Sequence, residues 1–200
     1  MKEFWQARYS EDGLAYGEHP NKFLQQNISK LSRGGKVLVP GDGEGRNGVW
    51  LAEQGYTVTT IDYAQAGVDR ANSFAERRGV TINALCADLS EWDWPPEEFD
   101  AVVSIFLHFP STLRPVIHRK MYETLKPGGV LIMEAFTKDQ LQYPSGGPPI
   151  EDALFSAELL QQDFSHANIE TLEESVVELA EGKYHVGPGS VVRLILEKPN

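Results

Sequence analysis

Four glycines, Gly41, Gly43, Gly45 and Gly48, fall within eight residues directly after the apolar run KVLVP. Such a loop offers bare backbone to a ligand, because no Cβ stands in the way. A phosphate-gripping loop needs GxxxxGK followed by Ser or Thr, and the chain has no such run. A dinucleotide fingerprint needs GxGxxG from the strand end. Counted from Gly41, Arg46 holds the third glycine's place, and only a frame shifted to Gly43, Gly45 and Gly48 matches. The third arrangement is GxGxG followed by an acid that closes the next strand. Asp62 stands 21 residues beyond Gly41, where a carboxylate can accept hydrogen bonds from both hydroxyls of a ribose. Asp88, in ADL, follows the third β-like run, near where an adenine amino group would sit. An adenosine satisfies both acids without a pyrophosphate, which suits S-adenosylmethionine.

Other residue types capable of chemistry lie further along. His108, in FLHFP, follows the fourth β-like run and could serve as a base near neutral pH. Tyr143 lies in a long Pro/Gly-rich loop, KDQLQYPSGGPPIED, of the kind that forms lids and binding loops. His185, in EGKYHVGPG, is a candidate to line the acceptor site, although its place between the last two β segments reads more readily as an exposed turn. Cys86 reads as a buried strand residue, and Trp92 and Trp94 as anchors of a loop to the core. Without CxxC or CxxH spacing no zinc site is expected, and no other metal.

These residues need a scaffold that alternates strands and helices. β-like runs are predicted at 36–40, 56–62, 80–87, from 99 and over 130–136. Between them lie helix-like stretches: 47–54, a segment carrying Val68, Ala71, Phe74 and Ala75, and a stripe of Leu113, Val116, Ile117, Met121 and Leu125 with Ser111 as its cap. Alternation of this kind means a parallel sheet with helices on both faces. A helix over 155–164 and two β segments, 169–179 and 190–197, close the chain as an antiparallel hairpin. The expected fold is therefore α/β: a Rossmann-like, doubly wound, seven-stranded sheet, mostly parallel, with an antiparallel C-terminal hairpin. One domain is expected over 1–200, with an N-terminal lid and helix at 1–35, a cofactor-binding core at 36–136, and a substrate loop, helix and hairpin at 137–200. The formal net charge of −11 and the lack of a basic run argue against nucleic acid. No apolar run approaches a membrane span, and the start lacks a signal-peptide segment, so a cytoplasmic monomer acting on a small molecule is expected.

VLVPGDGEGRNGVWLAEQGYTVTTID, CADL, FDAVVSIFLHFP and LKPGGVLIMEAF, in that order, resemble the motifs of class I S-adenosylmethionine-dependent methyltransferases. The VPG form with LAEQGY is similar to the thiopurine- and tellurite-resistance-type small-molecule enzymes. The resemblance runs from about residue 5 to the end. It implies S-adenosyl-L-methionine as cofactor and a small acceptor: a thiol, an amine, a carboxylate or a metalloid oxyanion. It puts Gly41, Gly43 and Gly45 at the methionine part of the cofactor and Asp62 on the ribose, with Asn47 also among the cofactor-binding residues. Tyr63, Asp88 and Leu89 would meet the adenine, with Ser104 and Ile105 as floor. It folds the N-terminal segment over the cofactor, so that Arg8 could pair with a carboxylate and Tyr9 and Tyr16 could border the pocket. The chain departs from the pattern at Val39, where an acid is common, and at Asp42, so the contact to the cofactor's amino group is open. A binding protein without transfer activity, or a nicotinamide-dependent oxidoreductase using the shifted frame, are the alternatives.

Overall fold

The computed structural model describes residues 2–200. Its strands are β1 (Lys36–Pro40), β2 (Thr57–Asp62), β3 (Asn83–Cys86), β4 (Phe99–Ile105), β5 (Leu125–Phe136), β6 (Asn168–Glu181) and β7 (His185–Glu197). They form a seven-stranded sheet in the order β3-β2-β1-β4-β5-β7-β6. The pairs from β3 to β5 are parallel, and β7 runs antiparallel to both β5 and β6. The helices are α1 (Lys2–Arg8), α2 (Lys22–Asn27), α3 (Arg46–Glu53), α4 (Gln65–Arg77), α5 (Arg114–Glu123) and α6 (Ala157–Asp163).

The centre of the sheet is buried on both faces, which is why β1 reads as an apolar run. Val37 and Val39 enter one layer with Leu24, Leu51 and Phe74, beneath α2, α3 and α4. Leu38, between them, enters the opposite layer with Ile117, Met121, Leu160 and Phe164, beneath α5 and α6. Each such side chain taken fully out of water contributes roughly 1.5–3 kcal/mol. This burial fixes the register that brings the carboxyl ends of β1, β2 and β4 to one edge. No helix among the described residues is long and apolar enough to cross a membrane.

Four local expectations change. Ser111 does not cap α5; its N–H donates to Asp152 Oδ2 (3.1 Å), while Leu113 holds the cap position and Pro115 sits in the first turn. Cys86 is exposed because β3 is the edge strand, and its thiol lies 3.7 Å from the Tyr63 carbonyl. The LKPGG run ends α5 as expected but already belongs to β5, whose pairing with β4 shifts register between Phe99 and Ala101. The hairpin is much longer than 169–179 and 190–197: Gly187, Pro188 and Gly189 pair with Leu179, Glu178 and Val177. His185 is thus the first residue of β7 and is buried, with 6% of its surface exposed.

Candidate active site

The glycine loop leaves β1 and is stitched to β2. The Gly41 N–H donates to the Ile61 carbonyl (2.7 Å). Asp62 accepts from Gly43 N–H through Oδ2 (3.1 Å) and from Ala64 N–H through Oδ1 (2.9 Å). Each carboxylate oxygen keeps a further lone pair for a hydroxyl donor. Burial pushes the Asp62 carboxyl up to about 6. Gly43 (φ +57°) and Gly45 (φ +88°) hold backbone conformations that side chains disfavour. Asp42 accepts the Gly48 N–H through Oδ2 (2.9 Å), pinning the first turn of α3. Its Oδ1 is buried without a hydrogen-bond partner among the described residues, and burial pushes this carboxyl up to about 7.

Two side chains lie on the open face of the loop. A Cβ on Gly41 would come within 2.6 Å of Leu107 Cδ1, and one on Gly43 within 2.5 Å of Tyr9 Oη. The Tyr9 ring is only 5% exposed, lies between Gly43 and Gly67, and stacks on Trp5 at 5.4 Å. The loop therefore presents backbone along a cradle bordered by Leu107 and Tyr9, beside an acid with spare acceptor capacity. That donor and acceptor set fits an adenosine joined to an amino acid. Tyr63 follows Asp62 directly, and burial pushes its hydroxyl up to about 12. Ser104, on β4, is buried. Asn47 is buried too, and its Oδ1 accepts the Asn21 N–H (2.9 Å), so its side chain ties α3 to the N-terminal segment. Leu89 is buried, whereas Asp88 is exposed and its Oδ1 accepts from both Ser90 N–H (2.9 Å) and Ser90 Oγ (2.6 Å).

A ring of aromatic groups stands beside the loop. The His185 imidazole lies 4.6 Å from Tyr16, 4.8 Å from Phe106 and 5.2 Å from Phe136, centre to centre. Phe106, just past β4, has φ +51°, a conformation that costs a non-glycine residue ~1–3 kcal/mol and persists only where its surroundings hold it. The ring is tied to the loop at three points. Glu44 Oε2 accepts the Ala15 N–H (2.6 Å), next to Tyr16. Leu107, next to Phe106, packs over Gly41. Arg46 donates to Glu181 Oε2 (2.9 Å), and the same oxygen faces His185 Nδ1 at 3.2 Å. Arg46 thus occupies the third-glycine position in order to reach the hairpin.

The remaining candidates divide. His108 is buried with both ring nitrogens committed: Nδ1 to the Ala153 carbonyl (2.8 Å) and Nε2 to the Phe136 N–H (3.2 Å). Burial holds its imidazole down at about 4, so it is neutral and has no free nitrogen for a proton. Tyr143 is half-buried and makes no side-chain hydrogen bond among the described residues; the loop turns inward through Gln140, Ser145 and Gly146 instead. Arg8 donates to the Tyr16 hydroxyl (3.3 Å) and lies 3.5 Å over the Tyr184 ring. Sequence reasoning missed Asn21, Glu44, Glu134 and Glu181, which are buried or nearly so and bonded across the chain.

The sequence pattern of a methyltransferase domain matches residues 37–129. Thiocyanate methyltransferase 1 of Brassica oleracea is 31% identical over 165 residues, which cover 76% of this chain and 68% of that protein. Probable thiol methyltransferase 2 of Arabidopsis thaliana is 34% identical over 124 residues, covering 58% of this chain and 52% of the relative, so the match spans about half of that protein's length. TehB from Haemophilus influenzae shares the fold, with a TM-score of 0.72 at 20% identity, over 98% of this chain and 66% of that one.

Proposed function

This chain belongs to the class I S-adenosylmethionine-dependent methyltransferases, and we propose that its methyl acceptor is a small thiol. The observation that carries the acceptor is the ring of Tyr16, Phe106, Phe136 and His185, tied to the glycine loop at three points. When bound, S-adenosylmethionine supplies an activated methyl group on a sulfonium sulfur. Gly41, Gly43 and Gly45 would carry its methionine part on backbone, Asp62 its ribose, and Tyr63, Leu89 and Asp88 its adenine. Electron-rich rings favour a cation beside them and exclude water. Holding two reactants in contact in this way supplies roughly 7–11 kcal/mol of a displacement barrier.

A thiol suits the ring's charge state. Arg46 is paired with Glu181, Arg193 with Glu134, and Arg8 is engaged by Tyr16 and Tyr184. An oxyanion or carboxylate would need a cation beside it; Arg46 and Arg193 are spent on carboxylates, whereas Arg8 is held by the neutral Tyr16 and Tyr184. A neutral, soft nucleophile needs none. The name of one plant relative, a probable thiol methyltransferase, supports the same class. The reading takes the chain as one domain, with 36–136 holding the cofactor and 137–200 the acceptor. It also takes it as a cytoplasmic monomer without nucleic-acid or membrane partners, in keeping with its net charge of −11.

Calorimetry tests the cofactor half. S-adenosylmethionine should bind and NAD should not, and Asp62→Ala should weaken binding severalfold or more. Release of S-adenosylhomocysteine on adding 1-propanethiol tests the acceptor half. Binding of NAD alone, or binding of S-adenosylmethionine without turnover of any thiol, would overturn the corresponding half.

A further inference from the structure

We propose that His185, oriented by Glu181, is the catalytic base that takes the proton from the thiol as the methyl group is received. The proposal rests on the thiol reading above. Glu181 holds the imidazole from one side, with Oε2 3.2 Å from Nδ1. The carboxylate is itself fixed by Arg46 Nη2 (2.9 Å) and by Asn21 Nδ2, which donates to Oε1 at 3.1 Å. The His185 and Arg46 contacts hold the Glu181 carboxyl down at about 2 against its burial, so it is ionised at neutral pH. An ionised carboxylate accepts the Nδ1–H, and that tautomer leaves the lone pair on Nε2.

Nε2 has no hydrogen-bond partner among the described residues. It faces Gly146, where a Cβ would lie 2.6 Å from Cδ2 and 3.2 Å from Nε2, so any larger residue would crowd that nitrogen. The other sides of the imidazole are walled by Tyr16, Phe106 and Phe136. Burial holds the imidazole below its ordinary value; Glu181 pulls it up, and the guanidiniums of Arg46 and Arg8 push it down again. At neutral pH it is therefore a free base beside an apolar wall. His108 cannot take this part, since both its nitrogens are bonded to backbone. His118 is spent in another layer, with Nδ1 2.7 Å from Asp163 and its ring stacked on Phe164.

The step balances without another reactant. The S–H bond breaks and its proton goes to Nε2. The sulfur's electron pair forms the new C–S bond, and the methyl's old bond to the sulfonium breaks with its pair left on that sulfur, which becomes neutral. The imidazolium then loses its proton to water.

The test contrasts two acceptors, 1-propanethiol, which arrives protonated, and thiocyanate, which arrives as an anion and needs no base. A general base contributes about 10²–10⁴-fold. With His185→Gln, turnover of propanethiol should fall at least 100-fold, and at least thirtyfold more than turnover of thiocyanate. Equal losses for the two acceptors would overturn the proposal, as would wild-type protein that methylates thiocyanate and not propanethiol. Ring-nitrogen NMR of the wild-type protein, without cofactor, gives a readout that needs no variant. His185 should be in the Nδ1–H tautomer at pH 7.5, and its Nε2 resonance should move on titration with propanethiol. A protonated Nε2, or a resonance that does not move, would also overturn it. Failure of S-adenosylmethionine to bind in calorimetry would instead strike the methyltransferase reading itself.

Discussion

Replacing Asp42 by Asn should remove a large part of the protein's loss of stability between pH 5 and pH 8. Asp42 is buried beneath the glycine loop, with Oδ2 on the Gly48 N–H and Oδ1 without a hydrogen-bond partner among the described residues. Burial raises its carboxyl from 3.8 to about 7. A carboxyl raised on folding binds its proton more tightly in the folded state. Its contribution is therefore fully present below 3.8 and is lost as pH rises to about 7. At ~1.4 kcal/mol per pKa unit the full loss is ~4 kcal/mol, of which ~2–3 kcal/mol falls between pH 5 and pH 8. Asn keeps an oxygen acceptor for the Gly48 N–H and has no proton to lose. Asp62, raised to about 6, titrates in both proteins, and its charge adds to the raised value of Asp42. Urea unfolding of wild type and Asp42→Asn at the two pH values measures the difference directly. The wild type should lose ~2–3 kcal/mol more than the variant over this interval. Parallel losses would refute the reasoning, because they would mean that Asp42 carries its charge in the folded loop at no cost.

Three further outcomes are expected. Gly43→Ala places a Cβ at φ +57° against the Tyr9 hydroxyl, so it should cost ~1–3 kcal/mol in urea unfolding and at least tenfold in S-adenosylmethionine affinity by calorimetry. His108, held down at about 4, should show no NMR titration between pH 5 and pH 8; because its value is lowered on folding, the stability tied to its neutral form should be lost as pH falls from 6.5 to about 4, by ~3 kcal/mol in total. Glu181→Ala leaves the buried Arg46 guanidinium without its carboxylate and should cost ~3–5 kcal/mol, read as a lowered urea midpoint; a loss under about 1 kcal/mol would show that water reaches the pair.

The parallel half of the sheet is legible because its strands read as apolar or β-branched runs between glycine-marked turns, as in KVLVP and TVTTID. The glycine loop and Asp62 are legible because their spacing is local. The hairpin is not, since Gly187, Pro188 and Gly189 carry turn chemistry yet belong to β7. They are tolerated there because β5 pairs with β7 only over Val191 to Glu197, so Pro188 has β6 on one side and no strand on the other. The same error makes His185 look like an exposed turn residue. Glu181 is one of five glutamates in β6, and nothing local separates it from those facing water. Only its contact with Arg46, 135 residues away, sets it apart. His108 misleads for the opposite reason: its place after β4 is right for chemistry, but Ala153 and Phe136 already hold both its nitrogens.

The position of β7 bears on how the chain is made. It is the last strand in the sequence, yet it lies inside the sheet, between β5 and β6. While residues 36–136 emerge from the ribosome, β5 has a partner in β4 but presents the N–H and C=O groups of its other edge. Such an edge is a template for pairing with another chain. It stays open until His185–Glu197 is delivered and docks, a step that joins segments far apart in sequence and is slow for that reason. Nascent chains, or chains cut before β7, should therefore aggregate through β5, and a translating chain needs either protection of that edge or rapid delivery of His185–Glu197.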